Sequence, residues 1–196
     1  TMVIATDADG VLTDKSGFNI VNGERIFRHK PTDPSGYTTA EIFGESKRRE
    51  FLFGLRHFYD YCSRLAPREN AVEVCGKLCS GENELYVITA RKFSTQHTPL
   101  GALSRRLFRK WVGKNGFLFN DIFYCSEVGT PPQKLGFCRR ISADIMIEDK
   151  GDTALYLAEN GIKVLLFDAP YNRDISHENI VRVFSWDEIF AVLAES

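Results

Sequence analysis

Two aspartates separated by a single residue follow directly after a short apolar run near the start of the chain. Asp7 and Asp9 come after Val-Ile-Ala-Thr and are followed by Gly10. A carboxylate attacks phosphorus readily when a divalent cation and a lysine offset the charge of a phosphate, so Asp7 is a candidate nucleophile. Asp9 would project from the same side of an extended backbone, where it could protonate a leaving oxygen and then activate water. The pair therefore predicts phosphoryl chemistry.

Four more reactive side chains follow later apolar runs of the chain. Thr89 comes after the second run, Lys134 lies in the connection after the third, and Glu148 and Asp149 come after the fourth. In an open α/β sheet, ligands bind beyond the carboxyl ends of the strands, so these groups are expected at one edge. Thr89 would hydrogen-bond a phosphoryl oxygen, and Lys134 would neutralise the charge that is transferred.

Magnesium is the cation expected at this edge, because it prefers hard oxygen ligands. Its predicted ligands are one Asp7 oxygen, the backbone carbonyl of Asp9 and a carboxylate from the fourth run, either Glu148 or Asp149. The sequence Asp-x-Asp-Gly also suits tight turns and calcium loops. An EF-hand is disfavoured, because an apolar strand precedes the pair and no glutamate stands at the twelfth loop position.

The elements that must position these residues are recognisable as apolar runs of strand length. The runs are 3–5, 85–88, 122–124, 145–147 and 164–167. Near-continuous apolarity is what a parallel strand needs when both of its faces are covered. Helical patterns occupy 104–112, 153–159 and 186–193. The alternation predicts an α/β fold with a Rossmann-like, doubly wound parallel sheet.

The segment 15–81 interrupts that alternation. It begins with turn-forming residues and continues with aromatic residues at helical intervals, among them Phe43, Phe51 and Phe53. We predict a small helical cap at 15–81, inserted after the first strand. Residues 1–14 and 82–196 would then form the core domain.

Composition and charge exclude several classes of partner. With 196 residues, 43% of them hydrophobic, the chain can bury one core with a smaller attached domain. A formal net charge of -1 gives no basic excess for nucleic acid or a membrane surface. No apolar run approaches the roughly 18 residues of a membrane span, and no signal-peptide pattern is present, so we expect a cytoplasmic protein. Five cysteines without paired CxxC spacing favour reduced thiols.

The order of these motifs resembles that of the haloacid dehalogenase superfamily of phosphohydrolases. The matching elements are "DADGVLTD" at 7–14, "YVITAR" at 86–91, Lys134 and "IEDKGDT" at 147–153. Within that superfamily, "GYTTAEIFG" and "IEDKGDTALYLAENGIKVLLFDAPYNR" are similar to the 5'(3')-deoxyribonucleotidases. The resemblance implies a magnesium-dependent phosphatase with a small helical cap after the first strand, and nucleoside (deoxy)monophosphates as the substrate class. Attack by Asp7 on such a substrate would give an aspartyl-phosphate.

The resemblance also refines the predicted site. The last motif reads Glu148-Asp149 where Asp-Asp is commoner; we favour Asp149 as the direct metal ligand, with Glu148 holding a metal-bound water or the lysine. Substrate binding is expected from Thr89, Ala90, Arg91 and Lys134 around the phosphate. Phe43 in the cap is the candidate for stacking on a base.

Other interpretations stay open at this stage. Thr89 could simply cap the helix that follows it, Lys134 and Arg91 could face solvent, and the cap phenylalanines could form the cap's own core. The protein could hydrolyse another small phosphate ester such as a sugar phosphate, or transfer phosphate to an acceptor other than water. It could also be a non-catalytic relative that binds phosphate ligands. The sequence is compatible with a homodimer.

Overall fold

A six-stranded, all-parallel sheet forms the centre of the protein in the computed structural model, which describes residues 1–195. The strands are β1 (Val3–Thr6), β2 (Glu84–Thr89), β3 (Asp121–Tyr124), β4 (Ile145–Glu148), β5 (Lys163–Phe167) and β6 (Ile180–Val183). Their order across the sheet is β3-β2-β1-β4-β5-β6. The predicted doubly wound α/β class is therefore confirmed.

Residues 1–195 contain eight α-helices. They are α1 (Lys15–Phe27), α2 (Thr39–Phe43), α3 (Lys47–Ser63), α4 (Ala71–Ser80), α5 (Pro99–Asn115), α6 (Thr130–Ile141), α7 (Gly151–Glu159) and α8 (Trp186–Ala194). A single 3₁₀ turn, Pro170–Asn172, follows β5. Among the described residues, no helix combines the length and apolarity that a membrane crossing requires.

Two apolar clusters cover the two faces of the sheet. On one face, α4, α5 and α8 contribute Leu78, Trp111 and Trp186 to a cluster with Ile4 and Ile147. On the other face, α6 and α7 pack against Ala5, Ile88 and Met146. Since both faces are buried, the strands need apolar residues at almost every position, which explains the runs seen in the sequence.

The reversal of strand order determines where the site lies. β1 pairs with β2 on one side, where Thr6 is opposite Val87, and with β4 on the other, where Thr6 is opposite Ile147. The chain leaves β1 at the point where the sheet grows in both directions, and such a point opens a crevice at the carboxyl ends of the strands. The residues that follow β1, β2 and β4 are therefore neighbours.

The first three helices form a separate small layer with its own apolar cluster. Phe27, Ile42, Phe43 and Phe53 are buried together there. The side chains of α4 pack instead into the cluster on the sheet, although the predicted boundary at 81 groups α4 with the insertion. We therefore propose that the cap comprises α1 to α3 and ends near residue 66.

The two chain crossings between this cap and the sheet lie side by side. Thr13 forms an isolated bridge with Pro67, and the backbone N–H of Arg68 donates to the carbonyl of Leu12 at 2.8 Å. The indole of Trp111 donates to the carbonyl of Leu65 at 2.6 Å, which fixes the returning chain to α5. The cap thus enters and leaves through one narrow connection.

The sixth strand was not predicted from the sequence. Only Arg182 interrupts the apolar pattern of β6. Among the described residues no further strand pairs with this edge strand, and Val181 is exposed there. Arg182 donates to Asp168 and to the side chain of Asn172, both at 2.8 Å. Arg182, whose charge makes the strand hard to recognise in the sequence, therefore links β6 to the turn after β5.

Candidate active site

Three buried carboxylates meet at the carboxyl ends of β1 and β4. Asp7, Glu148 and Asp149 each offer an oxygen that lies within 4.8 Å of the others. All three side chains are almost fully buried. Such a concentration of negative charge requires cations or protons to be stable.

Lys134 supplies one of those cations. Its ammonium lies 2.9 Å from Oδ2 of Asp7 and 2.6 Å from Oε2 of Glu148, and the residue is only 2% exposed. Burial lowers the pKa of Lys134, but the two carboxylates raise it above its usual value, so the lysine is charged. Burial raises the pKa of Asp7 to about 6, in spite of Lys134, and the charges of Glu148 and Asp9 add to the rise.

The two neighbouring acids of β4 have different surroundings. Both oxygens of Glu148 are engaged, since Oε2 accepts from Lys134 and Oε1 accepts from the backbone N–H groups of Asp149 and Lys150, each at 3.1 Å. Asp149 accepts from the hydroxyl of Tyr171 through Oδ2, while its buried Oδ1 has no partner. Burial, followed by the charge of Asp7, raises the pKa of Asp149 to about 6.

Gly10 makes room for the Asp149 side chain. A Cβ at Gly10 would stand 1.9 Å from Oδ2 of Asp149, and the φ of Gly10 is +93°. A larger residue would therefore be excluded both by the carboxylate and by the backbone conformation. From the other side, Nδ2 of Asn172 donates to the backbone carbonyl of Asp149 at 2.6 Å, which holds this corner in place.

This donor set fits a magnesium ion. Its atoms are carboxylate oxygens, the ligands that Mg²⁺ prefers, and Oδ1 of Asp149 is a buried acceptor without a partner. A buried carboxylate oxygen without a partner is costly, so a bound cation would remove an existing penalty.

The residues that follow β2 complete the edge. Thr89 is fully buried and its Oγ1 has no hydrogen-bond partner, so the hydroxyl is available to a ligand. Ala90, the next residue, lines the cavity that lies over this edge. We call Asp7, Thr89, Lys134, Glu148 and Asp149 the carboxylate floor.

Asp9 and Arg91 form an ion pair beside this floor. Nε and Nη2 of Arg91 both donate to Oδ1 of Asp9, at 3.0 and 2.6 Å. A phosphate-binding role for Arg91 stays a prediction; in the structure, both of its hydrogen bonds to an acidic side chain go to Asp9, the predicted acid/base.

A cavity of about 290 Å³ lies between the floor and the cap. One face of α3 covers it with Phe53, His57, Phe58 and Tyr61, and Phe18 of α1 adds to this lining. We call these five residues the aromatic roof. Within the roof, Nε2 of His57 and the hydroxyl of Tyr61 are buried without hydrogen-bond partners.

Phe43, the predicted base-stacking residue, does not line this cavity. It is 2% exposed and packs in the cap core, with its ring centroid 5.2 Å from that of Phe27. A Cβ at Gly23 would collide with the Phe43 ring, so α1 closes over it. Phe51 is also outside the cavity, half exposed on α3. Of the three phenylalanines singled out in the cap, only Phe53 reaches the cavity.

The other aromatic residues of the site were not predicted from the sequence. The signal was present for α3, because residues 50, 53, 54, 57, 58, 61 and 62 all line the cavity and recur at helical spacing. No local pattern marks Tyr171 or Asn172, which reach Asp149 from the turn after β5. Tyr37 lies against Tyr171, with ring centroids 5.0 Å apart, and was likewise not predicted.

The parallel sheet, the Asp-x-Asp pair after its first strand, and the threonine, lysine and acidic pair at the neighbouring ends define a phosphatase of the haloacid dehalogenase superfamily. The chain belongs to the family described as 5' nucleotidase, deoxy (pyrimidine), cytosolic type C protein, whose model matches residues 1–195. The resemblance found in the sequence is thereby confirmed, and the protein is a phosphoric monoester hydrolase.

One curated relative and two solved structures are similar to this chain. A nucleotidase from Clostridium acetobutylicum is 28% identical over 191 residues, which cover 97% of this chain and 92% of that protein. Among solved structures, a haloacid dehalogenase family hydrolase from Deinococcus radiodurans, with bound phosphate and sodium, has a TM-score of 0.66 at 15% identity and covers 98% and 95% of the two chains. A D,D-heptose 1,7-bisphosphate phosphatase from B. bronchiseptica, complexed with magnesium and phosphate, has a TM-score of 0.61 at 12% identity, covering 100% and 99%. These two structures share the fold.

Proposed function

We propose that this protein is a magnesium-dependent nucleotidase that hydrolyses nucleoside (deoxy)monophosphates through an aspartyl-phosphate on Asp7. The observation that carries the proposal is the position of Asp7: it contacts the Lys134 ammonium at the bottom of a cavity whose other side is aromatic. The family description and the name of the Clostridium relative support a nucleotide as the substrate.

In the first step, a carboxylate oxygen of Asp7 forms a bond to phosphorus while the bond from phosphorus to the ester oxygen breaks. Lys134 offsets the charge of the phosphoryl group, and the free hydroxyl of Thr89 donates to one of its oxygens. Asp9 gives its proton to the ester oxygen, so the leaving group departs as an alcohol.

In the second step, Asp9 accepts a proton from water as the water oxygen bonds to phosphorus. The acyl-phosphate bond breaks, inorganic phosphate leaves and the Asp7 carboxylate is restored. Asp9 has regained its proton at the end of the cycle, because it acts as an acid in the first step and as a base in the second.

Asp7, the backbone carbonyl of Asp9 and Asp149 would hold the magnesium ion. Glu148 would act through Lys134, because both of its oxygens already accept hydrogen bonds. When bound, the ion supplies positive charge that offsets the repulsion between the phosphate and the carboxylate floor.

The aromatic roof favours a nucleotide over a simple sugar phosphate. Aromatic rings provide faces on which a base can stack, worth about 1 to 3 kcal/mol per base. The unpartnered atoms of His57 and Tyr61 offer hydrogen bonds to polar groups of a ligand. A sugar phosphate would leave the rings without a stacking partner.

The test is phosphate release from a panel of nucleoside monophosphates and sugar phosphates, with magnesium and with chelator. We expect nucleoside monophosphates to be preferred by at least about tenfold in kcat/KM, deoxyribonucleotides to be among the best substrates, and chelator to abolish turnover. If kcat/KM were more than about tenfold higher for sugar phosphates than for nucleoside monophosphates, the nucleotide assignment would be wrong and only the phosphatase activity would stand.

A further inference from the structure

Arg91 is a buried cation with contacts at both its side chain and its backbone. It follows Thr89 by two residues and is 3% exposed. Its guanidinium carbon lies 4.2 Å from the ring centroid of Phe108 and 5.4 Å from that of Tyr61. Its backbone carbonyl accepts from the N–H and the hydroxyl of Ser94, at 3.1 and 2.6 Å. Both ends of the residue are therefore fixed.

The charge of this guanidinium is directed at one atom. Both Nε and Nη2 donate to Oδ1 of Asp9, and this is the charge-assisted type of hydrogen bond, which is shorter and stronger than a neutral one. Burial lowers the pKa of Arg91, but the charge of Asp9 raises it above the usual value, so the guanidinium is charged. A side chain held in this way has little freedom to rotate.

We infer that Arg91 is a positioning residue that acts through Asp9. By engaging Oδ1, it holds the Asp9 carboxylate in one orientation and leaves Oδ2 as the oxygen that exchanges a proton with the ester oxygen and later with water. The inference rests on the proposed function, in which Asp9 is the acid/base. It differs from a phosphate-binding role, in which Arg91 would contact the substrate directly through Nη1, the atom without a partner.

The two roles differ in how they depend on the leaving group. General acid catalysis matters for a poor leaving group such as phenolate and hardly at all for 2,4-dinitrophenolate, which departs without a proton. The ratio kcat/KM reports only the steps up to phosphorylation of Asp7, provided that this step is irreversible, so the later use of Asp9 as a base does not enter it.

The experiment measures kcat/KM for phenyl phosphate and 2,4-dinitrophenyl phosphate in Arg91→Met, with magnesium present. We expect a loss of about 30- to 100-fold for phenyl phosphate and of less than about threefold for the dinitrophenyl ester. Arg91→Lys retains a charged donor. On the scale of log(kcat/KM) for phenyl phosphate, it should recover at least about one third of the loss seen in Arg91→Met. Inhibition by inorganic phosphate should change by less than about twofold.

Arg105→Met is the matched control. This arginine donates to the backbone carbonyls of Ser94 and Gln96, at 2.6 and 3.2 Å, and so supports the same loop without contacting Asp9. It should affect both esters equally. Equal losses for the two esters in Arg91→Met, or a phosphate inhibition constant raised by more than about tenfold, would overturn the inference in favour of a phosphate contact or a loop support.

Asp9→Asn separates this inference from the proposed function. If Asp9→Asn loses both esters equally, the acid/base role of Asp9 fails and the proposed mechanism fails with it. If Asp9→Asn discriminates between the esters while Arg91→Met does not, only the role of Arg91 fails. If Arg91 acts through Asp9, adding Arg91→Met to Asp9→Asn should lower kcat/KM for phenyl phosphate by less than about threefold.

Discussion

The carboxylate floor and the aromatic roof face each other across one cavity, but their polar atoms are satisfied in different ways. In the floor, Lys134 contacts two carboxylates and Glu148 accepts three hydrogen bonds. Its exceptions are Oγ1 of Thr89 and Oδ1 of Asp149, which the proposed mechanism assigns to phosphate and cation. In the roof, His57 and Tyr61 keep buried polar atoms without partners.

This difference indicates that the floor and the roof have separate roles. The floor belongs to the sheet, and its charges are fixed before any ligand arrives, which is how electrostatic preorganisation lowers a barrier. The roof belongs to the cap, which is joined to the sheet through the narrow connection at Thr13 and Pro67. Chemistry is therefore expected to fail when the floor is changed, and substrate preference when the roof is changed.

The largest effect is expected from the nucleophile in the floor. Asp7→Asn should lower kcat by a factor on the order of 10⁴ or more for every substrate, because an amide cannot form the acyl-phosphate. The melting temperature should not fall, since the substitution removes a charge from a crowded carboxylate cluster. Asp121→Asn, at the exposed start of β3, is the control and should retain full activity. Robust turnover by Asp7→Asn would remove the covalent mechanism.

The next effect is on stability, and it tests whether the floor is a single interdependent unit. Lys134→Met leaves two buried carboxylates without their cation, so we expect a loss of about 3 to 5 kcal/mol in the free energy of unfolding, measured in urea. Lys150→Met is the control, because Lys150 pairs with the exposed Asp152 at 3.3 Å and should cost less than about 1 kcal/mol. Similar costs for the two lysines would show that the floor is not coupled in this way.

A smaller effect concerns pH in the absence of metal. The pKa of Asp7 and of Asp149 is raised to about 6 in the folded protein, from 3.8, so the folded state binds more protons than the unfolded state between these values. The contribution of these groups to the free energy of unfolding is therefore complete below about pH 4 and is lost as the pH rises through about 6. We expect a decline of about 1 to 3 kcal/mol across this window in chelator.

The measurement is urea unfolding at about pH 4.5 and about pH 7, in wild type and in Asp149→Asn. Comparison with the variant cancels the other titrating groups, among them His57, whose pKa is lowered by burial. The variant should show the smaller decline, and magnesium should restabilise the wild type at pH 7 by mass action. A decline of equal size in both proteins would contradict the assignment to this pair.

The smallest effect is expected in the roof. Phe58→Ala should raise KM for nucleoside monophosphates by about tenfold and leave that for a sugar phosphate within about twofold, because only the nucleotide loses a stacking surface. Phe51→Ala, seven residues earlier on the same helix but outside the cavity, is the matched control and should change neither substrate. If both substrates weakened equally in Phe58→Ala, the roof would have no role in discrimination.

The same division explains what the sequence could and could not predict. The floor was predicted, since parallel strands bring the residues after β1, β2 and β4 to one edge, and Asp7, Thr89 and Asp149 each stand at such an end. The roof was not, because Phe43 and Phe53 are both aromatic and both on cap helices. Only the packing of α1 against α2 and α3 decides that Phe43 faces the cap core and Phe53 also reaches the cavity.

Long-range contacts were out of reach for a similar reason. Tyr171 and Asp149 are 22 residues apart, and Arg91 and Asp9 are 82 residues apart. Tyrosine and arginine occur throughout the chain, so their types carry no information about their partners. Their placement depends on how the turn after β5 and the loop after β2 return to the edge of the sheet.

The most direct test of the covalent mechanism is to identify the phosphorylated residue. The protein would be mixed with substrate and magnesium, quenched in acid during turnover and treated with borohydride, which reduces an acyl-phosphate to the alcohol and so converts aspartate to homoserine. Peptide mass spectrometry should then find homoserine at position 7, and none in protein quenched without substrate. Homoserine at Asp9, or an unmodified peptide during active turnover, would contradict the assignment of Asp7 as the nucleophile.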